Sequence, residues 1–556
     1  MTIPDAAKKV PMMYRAQVEG RSQLQRLVPQ AEKQDAMRWA EEWISETYPV
    51  PPQFSSSVQT RTYALTWRFI TNGGQDDGII RPVIGARGWP FYPGSSMKGI
   101  FRQACTAAQA DKYCGKADDQ SPGILRFHGG YPTTDSWTEN LVDLVHPQQD
   151  RQVKKEGKTS AFIQISLYQP ELQFGISSTV SDEETSWETV WQIWEKAIAS
   201  GLGSRVSAGY GQAENAKGDL LYRVGLKGQG QAAKLIDEIG EFRPNVFRAG
   251  IRGHALRIFG GLTDADTAEN LVEGLFGGIS GGSGTVGLLS MAFQTSALEM
   301  GSYGTDAYAQ PTYDVEGTLR WLITRSVTDD KRQALTLLIE SLTRFAMAFG
   351  GFGKSWRRAD HRLIYPDYYD QGRKPLIGCH WQWSGNRALV RENRIRQLSQ
   401  VATCIESVRQ AAQAWMTLQG VKINPQHCAD WREAWHPNTV QVWGRVAQDI
   451  EDSEAVGWLH GPYQRRDRTL GTTEQTIKQS SVTGQLGEIG RLWHRMYPWV
   501  NVTPNPDEPR KPNIIHTPKC FELLTLFPNS STASEQFLAF LESRQDEFQK
   551  LWPVVP

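Results

Sequence analysis

The spacing of apolar positions changes period several times along the chain, and each change marks an element. From Ala31 to Thr47 apolar residues recur at helical spacing in a run rich in Glu, Ala, Trp and Lys. This predicts a helix, and the prolines at 49, 51 and 52 end it because proline lacks the amide donor and clashes with the preceding turn. Alternation begins at Ser57 and runs through Tyr63-Ala64-Leu65-Thr66-Trp67-Arg68-Phe69, predicting a strand with one wet face. A helix from Gly94 through Phe101 and Cys105 to about Ala110, strands at 124–127 and 161–175, and a Trp-rich helix from Ser186 to Ser200 complete one βαββαβ pass with insertions.

The order then repeats. A strand is predicted at 219–226, a helix at 247–259, a strand at 284–293 and a helix at 330–349. The two passes read as an internal repeat too diverged to show as identity. Residues 388–452 are helical by pattern and rich in Gln, Ala and Arg, and Phe521 to Phe527 returns as a strand. The expected architecture is α+β. A helical extension covers 1–55, a first module 56–218, a second module 219–370, and a largely helical insertion or extension 371–556.

Composition narrows the function. A chain of 556 residues exceeds one ordinary core. Lys plus Arg equals Asp plus Glu at 60 each, so any polyanion surface must come from local clustering. That balance suits a subunit whose charge is divided between a nucleic-acid face and protein interfaces. Six cysteines without a CxxC pair give neither a disulfide framework nor zinc-ribbon spacing. With no signal-like N-terminus and no run of apolar residues long enough to span a bilayer, the expectation is a cytoplasmic protein without membrane contact.

Two glycine-punctuated segments carry the chemistry. Tyr92-Pro93-Gly94-Ser95-Ser96-Met97-Lys98-Gly99-Ile100-Phe101-Arg102 turns into a helix at Pro93-Gly94. Serine hydroxyls, backbone amides and a lysine gather there as a phosphate-sized anion site, with Arg102 one turn on. Gly201-Leu202-Gly203-Ser204-Arg205-Val206-Ser207-Ala208-Gly209-Tyr210-Gly211 is a flexible loop presenting Arg205. In the second pass Arg248 and Arg252 occupy the place of the first helix, and Gly350-Gly351-Phe352-Gly353-Lys354-Ser355-Trp356-Arg357-Arg358 is a second, strongly basic glycine loop. Lysine supplies a point charge and arginine a fork for phosphate oxygens.

Ser95, Ser96, Lys98, Arg102, Arg205, Arg248, Arg252, Lys354, Arg357 and Arg358 are therefore the candidate nucleic-acid-binding residues, and RNA-binding residues if the resemblance given below holds. Trp356 and Trp493 are either stacking platforms or core, and His254 and His494 either acid–base groups or structural donors. Neither loop fits GxxxxGK[ST] or a dinucleotide fingerprint, which sets a nucleotide-binding enzyme aside.

The two motifs resemble those of the RAMP superfamily, whose members form the RNA-holding backbone of type III CRISPR effector complexes. A Pro-Gly-Ser-Ser-hydrophobic-Lys-Gly turn opens the first helix of a ferredoxin-like (RRM-like) domain in that family, and a glycine-rich loop lies near its end; residues 58–212 follow this order. Gly123-Ile124-Leu125-Arg126-Phe127 and Leu141-Val142-Asp143-Leu144-Val145-His146-Pro147 are similar to the middle strands of its capping members.

The resemblance implies two ferredoxin-like modules that bind CRISPR guide RNA and complementary target RNA in antiviral defence, beside other RAMP and large subunits. No cofactor is then required for binding. Target cleavage in the family uses an aspartate in the loop after the first strand together with a divalent metal such as Mg2+. Here the family position is Ile80, with Asp76 and Asp77 a few residues upstream as the candidate catalytic pair. The alternative to a non-catalytic subunit is thus a metal-dependent endoribonuclease that cuts target RNA, or one that processes repeat RNA through His254 or His494. Asp237, Glu238 and Glu241 fill the equivalent loop of the second pass and read as helix-start or surface acids.

Overall fold

In the computed structural model the described residues run from 33 to 554, apart from 77–78, 117–119, 146–151, 155–161, 236, 281–282, 425, 468, 470, 486–487, 507 and 509–511. Helix α1 (Lys33–Glu46) leads in, and its buried Trp39 and Trp43 pack with Trp89 and Trp137 on the first sheet unit.

That unit is antiparallel. Strands β1 (Gln59–Ala64), β3 (Glu171–Ser178) and β2 (Leu125–Pro132) lie in the order β1-β3-β2, with Arg61 opposite Phe174 and Phe127 opposite Ile176. Helices α2 (Gly94–Ala104) and α3 (Trp187–Ile198) cover one face, burying Met97, Phe101, Trp191 and Trp194. A fourth position is a stub: Ala213 bridges Leu65 antiparallel on the free side of β1. A second small sheet, Gly74–Asp76, Ile79–Arg81, Phe162–Ile165 and Val142–Val145, is built from the insertions.

The second unit is complete. Its strands are β4 (Leu220–Gln231), β5 (Leu289–Tyr303), β6 (Gln310–Ile323) and β7 (Cys379–Trp383), in the order β5-β6-β4-β7 and all antiparallel. Helix α4 (Asn245–Gly260) follows the first strand and α5 (Asp329–Phe349) the third. Glycine loops close both units. In the second, Gly351 has φ +113°, and Gly250 on α4 lets the loop lie directly on the helix, since a Cβ there would meet Phe352 at 2.9 Å.

The expectation for 371–556 is corrected by a third sheet. Strands β8 (Gln441–Ala447), β9 (Leu492–Thr503), β10 (Asn513–Leu526) and β11 (Gln549–Trp552) form the order β9-β10-β8-β11, again antiparallel. Helices α6 (Glu454–His460) and α7 (Thr532–Glu542) sit after the first and third strands. Of the helical pattern at 388–452, the long run that survives is Gln400–Leu418.

The alternation of the strands was hidden in two ways. Pro498 and Pro518 interrupt β9 and β10, and Arg495 and Glu522 are buried charges where the pattern calls for apolar residues. The second and third units share one hydrophobic core that includes Phe247, Phe345, Trp435, Trp493 and Trp552, whereas the first has its own. No helix among the described residues is long and apolar enough to cross a membrane.

Candidate nucleic-acid interface

In the first unit Pro93 stands in an extended conformation before α2, and Gly94 is forced by contact, since a Cβ there would lie 2.1 Å from the Phe127 carbonyl on β2. The helix start is thereby pressed against the sheet while Ser95, Ser96 and Lys98 remain exposed on its outer side. Arg102 turns inward and donates to the Gly115 carbonyl at 2.6 Å. The glycine loop lies alongside, with φ +73° at Gly203 and +62° at Gly211 holding it against Ile70 and Leu202. Arg205, itself at φ 59°, is part-buried near Tyr210 and Asp143, and burial draws its pKa down.

The second unit brings the two motif positions together around a cleft of about 610 Å³. One wall is one face of α4, with Asn245, Gly250, Arg252, Gly253 and, in the last turn, Arg257; the other is the glycine loop Gly351 to Arg357. Arg243, Arg252, Arg257, Lys354 and Arg357 line it, and none of the described lining residues is a carboxylate. Lys354 is exposed, and partial burial beside Arg243 and Lys234 lowers the pKa of its ammonium. Such a wall attracts an anion, and the glycines permit a close backbone approach.

Arg257, Arg357, Arg358 and Arg248 have internal duties. Glu433, fully buried, accepts from Arg257 Nε at 2.8 Å and from Arg357 Nη2 at 2.7 Å. Its carboxyl pKa falls below the ordinary value because Arg357, Arg257 and Arg432 outweigh burial. Gln152, carried over from the first unit, accepts from Arg357 through its carbonyl at 2.9 Å. Arg358 lies outside the cleft wall and donates to the Leu492 carbonyl and, at 3.3 Å, to that of Thr483. Arg248 donates to the Phe276 carbonyl, and burial next to Arg252 and Arg205 lowers its pKa to about 10. The first unit's loop arginine thus stands near the two arginines on α4.

Glu241 corrects the reading of surface acids. It is 6% exposed and receives Arg68, itself fully buried, at 2.6 and 2.9 Å. Trp67 donates to the same carboxylate at 3.1 Å. Arg243 pairs with Asp143, which Tyr210 also reaches at 3.2 Å. Two carboxylates and two arginines so stitch the first unit to the entrance of α4. Sequence spacing could not pair residues separated by a hundred or more positions; the only signal was an unexpected charge in the strand pattern at Arg68.

His254 and His494 are both buried. His254 is buried among Phe345, Trp356 and Trp493, and its pKa sits well below the ordinary value through burial and then Arg257. His494 is fully buried and donates to Glu522 at 3.1 Å. Ser453 lies 3.3 Å from the same His494 nitrogen, Nε2, so serine and carboxylate compete for one ring atom rather than flanking the imidazole as a hydrolytic triad does.

Trp493 is 1% exposed and cannot stack a base. Trp356 lines the cleft with Arg357 4.6 Å and Arg257 5.1 Å from its ring centre, where it buttresses both guanidinium groups. Asp76 ends the short strand Gly74–Asp76, and Asp77 lies outside the described residues. No cluster of three or more His, Cys, Asp or Glu that could hold a metal occurs among the described residues.

No family model matches the chain, and no curated protein matches it. Among solved structures it is similar to Type III-B Cmr-beta bound to cognate target RNA, with 18% identity over 38% of this chain and 74% of that one, at a TM-score of 0.23. It is also similar to Cmr1 of Pyrococcus furiosus, with 10% identity over 60% of this chain and 99% of that one, TM-score 0.29. Cmr6 of Pyrococcus furiosus matches at 12% identity over 29% of this chain and 98% of that one, TM-score 0.19.

Proposed function

We propose that this chain is an RNA-binding subunit of a type III CRISPR effector ribonucleoprotein, built from ferredoxin-like modules, that holds guide RNA and the guide–target duplex in antiviral defence. The observation that carries this reading is the second-unit cleft. Helix α4 and a glycine loop, the pair of elements the motifs single out, converge on five cations with no carboxylate among the described lining residues.

Phosphates along a single strand are gripped by such a wall without regard to base. Arg205, Arg248 and Arg252 extend the positive region toward the first unit, where Ser95, Ser96 and Lys98 present a second phosphate-sized helix start. Guide RNA, complementary target RNA and neighbouring effector subunits are the partners this reading names.

The test is equilibrium binding of the full chain to a labelled single-stranded RNA, beside the Arg252→Met/Lys354→Met double variant. The reading expects tight, sequence-tolerant, salt-sensitive binding that the double variant weakens while a large excess of free ATP leaves it intact. Equal binding by both proteins, or displacement by ATP, overturns it.

A further inference from the structure

The third unit repeats the strand order of the second, yet the place of its anion site is already filled. Glu522, fully buried on β10, accepts hydrogen bonds from the first-turn amides of α6, Ala455 at 3.0 Å and Glu454 at 3.2 Å. Ser453 donates to it at 2.6 Å, Arg445 at 2.7 Å and His494 at 3.1 Å. These are the donors a phosphate would recruit at a helix start, and an internal carboxylate has taken them. Where the first two units carry a glycine loop after the second helix, residues 543–548 contain no glycine, and Arg544 is spent on Glu454 at 3.1 Å.

The edge strand of the same unit instead grips the second unit's glycine loop. The His494 amide donates to the Arg357 carbonyl at 2.8 Å, and Arg358 reaches the Leu492 carbonyl. Trp493 lies 4.9 Å from Trp356, ring centre to ring centre. Arg495 donates to the Trp381 carbonyl and, at 3.2 Å, to that of Met347. Every one of these contacts falls on the glycine loop or on the α5 and β7 elements that flank it.

We infer that the third unit is a positioning module: its helix start is closed to RNA by Glu522, and its strand β9 holds the basic loop of the second unit in RNA-binding geometry. Arg358 is then a positioning residue that touches no phosphate. The inference rests on the RNA-binding reading above.

Two measurements on the full chain test it. Lysine-modification footprinting with a bound single-stranded RNA is expected to protect Lys98 and Lys354 and to leave Lys478 and Lys519 as reactive as in the free protein. Protection of Lys478 or Lys519 overturns the inference while sparing the RNA-binding reading, whereas protection at no lysine and no measurable binding defeats both.

In the second measurement, Arg358→Met is expected to weaken RNA binding several-fold and speed amide exchange across 350–358, with the salt dependence of binding unchanged. A fall in the slope of log K against log[salt] by about 0.7, the share of one phosphate contact on a single strand, would make Arg358 a contact residue and overturn the inference. So would unchanged affinity. Should Arg358→Met not fold, the footprint decides without it.

Discussion

Lys354 offers the sharpest quantitative test of the cleft. Arg257 and Arg357 are held by Glu433 and Arg243 by Asp143, while Lys354 stands exposed at the mouth with no carboxylate among the described residues of the cleft wall. Replacing it by Met keeps an unbranched apolar stem and removes one phosphate contact. Each contact on a single strand contributes about 0.7 to the slope of log K against log[salt], so the variant's slope should be shallower by about that amount. Between about 50 and about 200 mM salt the wild type should lose about 2.6-fold more affinity than the variant.

A pH effect accompanies it. Partial burial and neighbouring cations lower the ammonium pKa in the free protein, and a bound phosphate raises it. Binding therefore takes up a proton at alkaline pH, so wild-type affinity falls as pH rises through the free-state value and that of Lys354→Met falls less. Fluorescence polarisation with a labelled RNA across salt and pH reads both quantities. Equal salt slopes for wild type and variant would refute the placement of RNA in this cleft.

Three further outcomes concern the surroundings of the site. Glu433→Ala leaves the buried Arg257 and half-buried Arg357 without their shared carboxylate, and should lower unfolding stability in urea by about 3–5 kcal/mol. Acid should destabilise the fold in two stages. The His254 pKa is depressed in the folded state, so below its unfolded value of about 6.5 only the unfolded chain takes up that proton. The Glu522 carboxyl is held down to about 2 against an ordinary 4.5, so its stabilisation is present above the higher value and is lost as pH falls toward the lower; Glu522→Gln should flatten that part of the profile. Gly351→Ala puts a methyl 2.7 Å from Trp381 Cδ1 at φ +113°, and should cost about 1–3 kcal/mol of stability while loosening RNA binding.

The two basic loops and the helices they face were legible because their chemistry is local: Pro93-Gly94 and the Gly350–Arg358 run announce a turn, a close approach and a charge within a few residues. What stayed hidden was long-range. The pairing of Arg68 with Glu241 spans the junction of two units, and Glu433 approaches the cleft from a connecting segment with no pattern of its own. The third sheet escaped for a related reason. Arg445, Arg495 and Glu522 look like surface charges in sequence, and only their mutual or backbone partners reveal that the strands carrying them are buried. Of the arginines singled out for RNA, Arg102, Arg248 and Arg358 turned to carbonyls, since a charge in the sequence says nothing about which way the fork points.

The measurement that bears most directly on the central claim is to isolate the tagged chain from cells at moderate salt and sequence the short RNA that accompanies it. The account predicts RNAs sharing a common repeat-derived end, recovered together with other effector subunits and lost from the Arg252→Met/Lys354→Met variant. Recovery of the chain without RNA or partners, with an absorbance ratio typical of protein alone, would contradict it.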